Sequence, residues 1–244
     1  MITNPPYAAW ARQGRSWIPR DEPSCGIWLR ADLGVSLSSG KVAGWTNQAS
    51  FGQSFTQGTS TRQPAYNANG FGSRSLPSIG FSAATTSSLV NSSISKSTSN
   101  WTMVFACNPT ATSSATGLWL MDVVNGRMIF THYQTLTGKV AFWDATASTY
   151  RGTQSPTTGA QILSFELAVN AGAIYRNGTA LDTGLAWGAQ RALASGITLG
   201  ATNGGSAGFF EGQIAEVCVL QNPTSGARAR VERYMGRRYG ISVA

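Results

Sequence analysis

The sequence is poor in charged residues. Asp, Glu, Lys and Arg make up 11% of its 244 residues, against roughly 25% in an average soluble protein, and Ser, Thr, Gly, Ala and Asn take their place. This composition argues against a cytosolic metabolic enzyme. The longest strongly apolar run is Trp101 to Cys107, far short of the roughly 18 residues that a membrane-spanning helix needs. We therefore expect no membrane insertion.

Cysteine and histidine are also scarce. The three cysteines, Cys25, Cys107 and Cys218, are an odd number at wide spacing without a Cys-x-x-Cys pair, and His132 is the only histidine. A zinc site needs four closely spaced Cys or His ligands, and a disulfide scaffold needs several cysteine pairs, so neither is expected here. We expect no metal, no cofactor, and buried free thiols in the apolar segments around Cys107 and Cys218.

Short apolar segments, broken roughly every 8 to 12 residues by Gly, Asn, Ser or Pro, fill most of the chain, which is the pattern of β-strands. Asn125-Gly126 and Asn177-Gly178 each suit the two positive φ angles of a type I′ turn and predict hairpins. Segments 101–108 and 213–220 are apolar on both faces, which favours strands in the middle of a sandwich. We predict two packed antiparallel sheets, with further strands at Cys25–Arg30, Val42–Thr46, Pro77–Phe81, Lys139–Trp143, Ile162–Val169 and Ile197–Leu199.

The C-terminal segment has a helical pattern instead. A helix over about 224–239 is predicted, because Thr224 or Ser225 could cap its start and Gly240 suits the left-handed residue after its end. Arg228 and Arg237 are expected to point outward. The helix is expected to cover one end or face of the sandwich with an apolar stripe of Ala227, Val231, Tyr234 and Met235.

Residues 1–24 differ from everything after them, with four prolines, two tryptophans and three arginines. We predict an N-terminal arm, 1–24, before a domain of residues 25–244 that includes the helix. Arg and Trp carry much of the binding energy at protein interfaces. The arm is therefore expected to bind a protein partner, the candidate contact residues being Trp10, Arg12, Arg15, Trp17 and Arg20.

Three stretches carry a family resemblance. In chain order they are Ile27–Asp32 with Val42–Gln48 and Arg62–Tyr66, then Ala173–Gly178, then Phe210–Val217 with the helix end Arg237–Ile241. Together they resemble the laminin-G-like, concanavalin A-like jelly-roll domains common in bacterial surface proteins and phage structural proteins. The resemblance covers about residues 25–241 and implies an all-β jelly-roll sandwich of two antiparallel sheets.

Glycoside hydrolases occur on this fold, and retaining ones need two carboxyl groups about 5 to 5.5 Å apart. Asp122, Asp144, Glu166 and Glu216 each stand alone within a predicted strand. Glu211 and Glu216 are an odd number of residues apart, which places them on opposite faces of a regular strand. We expect no catalytic residue and no enzyme.

Aromatic residues near turns are the better candidates for ligand recognition, because the apolar faces of sugars pack on aromatic rings. Burial in the core is an equal alternative for each, since tryptophan is highly buried on average, and Trp28, Trp45 and Trp101 are expected to be core residues. The candidate ligand-binding residues are Trp119, Tyr133, Trp143, Tyr150 and Trp187.

The formal net charge is +8, which attracts polyanions of any kind. The basic residues, however, concentrate in the arm and the helix, and no nucleic-acid-binding module is visible. We expect no specific nucleic acid, and an acidic protein scaffold as the partner.

The composition is that of an extracellular protein, yet the first residues lack the basic and apolar regions of a signal peptide. A virion protein released by lysis would explain both. The main hypothesis is a non-enzymatic phage-type virion protein, a capsid decoration or a head or tail fibre component, that displays a lectin-like jelly roll. Its arm would bind capsid or tail proteins, and it would form a homo-oligomer on the particle. The alternative is a carbohydrate-binding adhesion module for cell-surface glycans, and a glycoside hydrolase ranks third.

Overall fold

Nineteen β-strands and one α-helix build the described part of the chain. The structure is a computed structural model that describes residues 16–113, 118–123, 128–134, 138–144, 148–187, 191–193, 196–202 and 205–244. Short 3-10 turns lie at Pro19–Asp21 and Ser60–Arg62. The strands and the helix are β1 (Cys25–Arg30), β2 (Val35–Ser38), β3 (Lys41–Trp45), β4 (Phe55–Thr56), β5 (Ala65–Phe71), β6 (Leu76–Phe81), β7 (Leu89–Asn91), β8 (Lys96–Ser99), β9 (Trp101–Pro109), β10 (Leu118–Val123), β11 (Met128–Gln134), β12 (Lys139–Asp144), β13 (Thr149–Arg151), β14 (Gln161–Leu167), β15 (Gly172–Arg176), β16 (Thr179–Leu185), β17 (Arg191–Leu193), β18 (Ile197–Leu199), β19 (Gly212–Gln221) and α1 (Ala227–Tyr239).

Antiparallel pairing arranges these strands in two layers. The back sheet has the order β16–β15–β14–β9–β19, and the far edge of β19 pairs with β6 and β1. The front sheet has the order β2–β3–β4–β7–β18–β10–β11–β12–β13. Strand β5 pairs with β6 and touches β3 at one residue pair, so it joins the layers at one side. Strands β8 and β17 form a separate ribbon. The jelly-roll sandwich predicted from the sequence is confirmed.

Two apolar clusters hold the fold together. The first fills the space between the sheets and includes the predicted core residues Trp45 and Trp101. The second lies between the outer face of the back sheet and α1, and includes Trp28, Cys218 and Val231. Because the back sheet is covered on both sides, its central strands β9 and β19 are apolar on both faces, as their sequences indicate.

The helix begins three residues later than predicted. Its N-cap is Gly226, with φ +77°, and no side chain caps the end. The expectation that Thr224 or Ser225 would cap it is wrong: Thr224 precedes the left-handed Gly226, and its Oγ1 accepts a hydrogen bond from Arg230 Nη2 at 3.3 Å instead. The end is as predicted, because Gly240 takes φ +66° as the C-cap.

The predicted apolar stripe faces the back sheet. Val231 and Met235 are fully buried, and Arg237 is exposed, as expected. Arg228 does not point outward. Its guanidinium lies 3.4 Å from the centre of the Tyr175 ring and pairs with the carboxylates of Glu166 on β14 and Glu232 on α1. The expectation for Arg228 is wrong because those carboxylates hold it against the sheet.

The hairpin predicted at Asn177-Gly178 is confirmed, with φ angles of +52° and +82°. The turn predicted at Asn125-Gly126 lies outside the described residues. Predicted and observed strand bounds agree for 25–30 and 197–199 and elsewhere differ by one or two residues. No helix in the described ranges is both long and apolar enough to span a bilayer.

Candidate functional site

Trp143 of β12 and Tyr150 of β13 form an aromatic pair on the outer face of the front sheet. They are register partners, with ring centroids 4.8 Å apart and ring planes tilted by 57°. The neighbouring Phe142 points into the core between the sheets, so strand alternation directs Trp143 and its partner outward. Both residues are half-buried.

The sequence of β12 produces this arrangement by alternation. Val140 and Phe142 belong to the core, and Lys139, Ala141 and Trp143 therefore share the outer face. Ala141 is fully buried, and Lys139, four residues along β12 from Trp143, has its ammonium 3.3 Å from the hydroxyl of the exposed Ser155. Rings for stacking with polar groups nearby are the elements of a sugar-binding surface.

The other predicted ligand-binding aromatics do not join this pair. Trp187 is 1% exposed and packs edge-on against Phe142, with centroids 5.4 Å apart. Of the two alternatives for Trp187, ligand contact at the surface and burial in the core, the structure shows burial in the core cluster between the sheets. Trp119 and Tyr133 belong to β10 and β11, but their side chains lie outside the described part.

The predicted partner-binding residues lie elsewhere. The Trp17 ring stands edge-on to Tyr234 of α1, with centroids 6.1 Å apart, and Arg20 is exposed nearby in the chain. Glu22 is 3% exposed and pairs with Arg230 of the helix, with 2.6 Å between the charged atoms. The last part of the predicted arm thus packs on the domain. The remaining candidates, Trp10, Arg12 and Arg15, lie outside the described residues.

Acidic side chains at the surface are engaged within the fold. Glu166 accepts hydrogen bonds from the Tyr175 hydroxyl at 3.0 Å and from Arg228 Nε at 3.2 Å. Asp182 accepts the backbone N–H of Thr153 at 2.9 Å. No cluster of three or more His, Cys, Asp or Glu side chains suited to a metal ion occurs among the residues that the structure describes.

Glu216, which stands alone in its predicted strand, is buried under the helix, and no local pattern in the sequence indicates this burial. Glu216 is fully buried and accepts hydrogen bonds from Trp28 Nε1 at 2.5 Å and from the Tyr239 hydroxyl at 2.8 Å. Arg238 Nε lies 3.7 Å away. Burial raises the pKa of Glu216 to about 7, although both hydrogen bonds and the arginine oppose that shift. Since no ligand can reach it, Glu216 is a structural group that ties α1 to the sheet.

No family model matches the chain, and no curated protein is similar to it in sequence. Solved structures are similar in fold. A GH54 α-L-arabinofuranosidase has a TM-score of 0.63 at 9% identity, over 92% of this chain and 61% of that one. The ligand-binding domain of botulinum neurotoxin serotype D, in complex with N-acetylneuraminic acid, has a TM-score of 0.57 at 10% identity, over 88% and 51%. Domain 4 of a GH43 extracellular arabinanase from Geobacillus stearothermophilus, in complex with arabinotriose, has a TM-score of 0.52 at 16% identity, over 87% and 98%.

This chain therefore spans only about half to three fifths of the arabinofuranosidase and neurotoxin chains. At such low identities the likeness establishes the fold, a β-sandwich jelly roll of the kind that the sequence resemblance implied.

Proposed function

We propose that this chain is a non-catalytic carbohydrate-binding module in which Trp143 and Tyr150 form the sugar-stacking surface. The aromatic pair on the outer face of the front sheet is the observation that carries the proposal. The fold supports it, because two of the similar structures hold arabinotriose and N-acetylneuraminic acid. Glycan binding, the alternative in the sequence analysis, thus becomes the main proposal.

The geometry of the pair favours a single sugar unit. Rings tilted by 57° form a corner, whereas a flat row of rings would hold several units of an extended chain. One sugar ring stacks on Trp143 with its edge against Tyr150.

A binding role is favoured over hydrolysis because the two carboxylates that come together are already paired with an arginine. Hydrolysis would need two acids free to face one glycosidic bond. Glu166 and Glu232 do come together, but both are paired with Arg228, which stands between them as a structural cation.

The test is a glycan array with the full chain, followed by calorimetric titration of the best glycan against variants. Trp143→Ala and Tyr150→Ala should each weaken binding by about fivefold or more, since stacking of this kind is worth about 1 kcal/mol or more. Tyr66→Ala is the matched control, because Tyr66 is also half-buried but lies on β5. Circular dichroism verifies that each variant is folded.

If folded Trp143→Ala and Tyr150→Ala both bound the glycan as tightly as the native chain, these residues would not form the binding site. Absence of binding to any arrayed glycan by the native chain would contradict the function.

The virion role is a second proposal: a structural component of a phage-type particle, held through the arm to capsid or tail proteins. The exposed Arg20, three residues after the Trp17 that packs on Tyr234 of α1, is the observation that favours such a contact. Cryo-electron microscopy of a native particle that contains the chain would test it, with density for residues 1–24 against a neighbouring subunit as the expected result.

A further inference from the structure

Two adjoining clefts lie beside α1, on the side of the molecule away from the aromatic pair. The first has a volume of about 470 Å³, and its lining includes Arg74, Arg233 and Arg237 together with the apolar Ile241 and Val243. Arg74 comes from the turn between β5 and β6, whereas the other two arginines belong to the helix. The turn and the helix thus supply facing basic walls.

The second cleft has a volume of about 630 Å³ and shares Arg74 and Arg237 with the first. Its lining adds the rings of Trp17 and Tyr234 and the side chain of Leu76. Since the same two arginines line both spaces, the clefts meet at these arginines and form one basic groove with an aromatic end.

The arginines on this side of the molecule fall into two groups. Those that hold α1 to the sheet are neutralised by carboxylates: Arg228 by Glu166 and Glu232, Arg230 by Glu22, and Arg238, which also lines the second cleft, by Asp32. The three others are exposed and have no ion-pair partner among the described residues; they are Arg74, Arg233 and Arg237.

Three uncompensated guanidinium groups around one groove favour an anionic ligand. No acidic side chain is among the residues that line either cleft, so nothing in the lining cancels the field. A guanidinium presents its N–H groups as a planar fork that matches a carboxylate in a two-point contact.

We propose that this groove binds an acidic segment of a partner protein. Carboxylates of the segment contact Arg74, Arg233 and Arg237, and an apolar side chain packs at the aromatic end beside Trp17 and Leu76. This inference is independent of the proposed carbohydrate site.

A protein segment is favoured over a glycan or a nucleic acid by the shape of the aromatic end. Trp17 and Tyr234 are nearly perpendicular, with an interplanar angle of 76°, so they offer no pair of flat faces on which sugars or bases could stack in succession. Tryptophan, tyrosine and arginine are the residue types enriched in protein interfaces. The apolar Ile241 and Val243 in the wall of the groove suit a segment in which acidic and apolar residues alternate.

The test measures fluorescence anisotropy of a labelled twelve-residue peptide of alternating Glu and Leu with the full chain. Binding should weaken with added salt, because exposed charges are screened. The double variant Arg74→Gln, Arg237→Gln removes the two arginines shared by the clefts and should weaken binding by about tenfold or more. The control Lys41→Gln, Lys96→Gln removes the same charge from β3 and β8, neither of which lines the clefts, and should leave binding within about twofold.

Four results would overturn the inference. One is an equal loss in the control, which would mean attraction by net charge alone. Another is equal binding of a Gln and Leu peptide, and a third is no peptide binding below about 1 mM. The fourth is tight binding of heparin at the groove without peptide binding, which would assign the groove to an anionic glycan. Trp143→Ala should leave peptide binding unchanged, which separates this test from that of the carbohydrate site.

Discussion

The indole Nε1 of Trp28 donates a hydrogen bond of 2.5 Å to the buried carboxylate of Glu216. Trp28 belongs to β1, Glu216 to the neighbouring β19, and the second carboxylate oxygen accepts the hydroxyl of Tyr239 at the end of α1. Two strands and the helix therefore meet at one buried acid. Its titration should be visible in the stability of the whole domain.

Burial raises the pKa of Glu216 to about 7 from an ordinary value of 4.5. Between these values the folded chain holds a proton that the unfolded chain has lost, so the stabilisation from this group is present below about pH 4.5 and is lost as the pH rises to about 7. The free energy of unfolding should fall by up to about 3 kcal/mol over this range and then level off. Urea unfolding at a series of pH values measures it. Glu216→Gln removes the titration and should flatten the slope; an unchanged slope in that variant would assign it to another group.

Val231 lies in the middle of the contact between α1 and the back sheet and is fully buried. Val231→Asp should lower the free energy of unfolding by several kcal/mol, because it buries a charge without a partner. Arg233→Asp, on the exposed side of the same helix, is the control and should change stability by less than about 1 kcal/mol. Equal melting temperatures for the two variants would show that the helix does not pack as described.

The three thiols are protected by the fold. Cys107 and Cys218 are fully buried and Cys25 is 3% exposed, and burial raises the pKa of Cys107 to about 12. Since the thiolate is the reactive form, the native chain should react with Ellman's reagent only slowly near pH 8, whereas the unfolded chain should show three fast thiols. Ser155→Cys, at an exposed position, provides a positive control. One fast thiol in the folded native chain would contradict the burial.

Deletion of residues 1–24 should leave a folded domain, because β1 begins at Cys25. The truncated domain should nevertheless be less stable, by about 1 to 3 kcal/mol, since it loses the Trp17 contact with Tyr234 and leaves Arg230 without Glu22. Circular dichroism with urea unfolding measures both effects. A truncated chain as stable as the native one would show that this packing contributes nothing, and an unfolded one would place residues 17–24 within the folding unit.

Long apolar strands and strong turns were predictable from the sequence. Strand 25–30, the Asn177-Gly178 turn and the Gly240 end of the helix each carry a local pattern that suffices to define them. The short strand β7 does not: it lies in a segment rich in Ser and Thr, and it is held by its neighbours β4 and β18.

The candidate sites depend more on tertiary contacts. The sequence indicates that Trp143 and Tyr150 are near turns, but their pairing depends on the register of β12 with β13. Gly72 allows the turn that carries Arg74 to lie against the end of the helix. Its φ is +65°, and a Cβ atom there would lie 2.2 Å from the carbonyl oxygen of Tyr239. No local pattern indicates that this turn approaches the end of a helix more than 160 residues later in the chain.

The two terminal segments of the described chain lie at the clefts beside α1. Ser16 lines one cleft and Val243 lines the other, so both segments lie on the helix side, while Trp143 and Tyr150 occupy the opposite face. Attachment to a support through either segment would therefore give the molecule the same orientation. The support would lie behind the helix, and the aromatic pair would be directed into the surrounding medium.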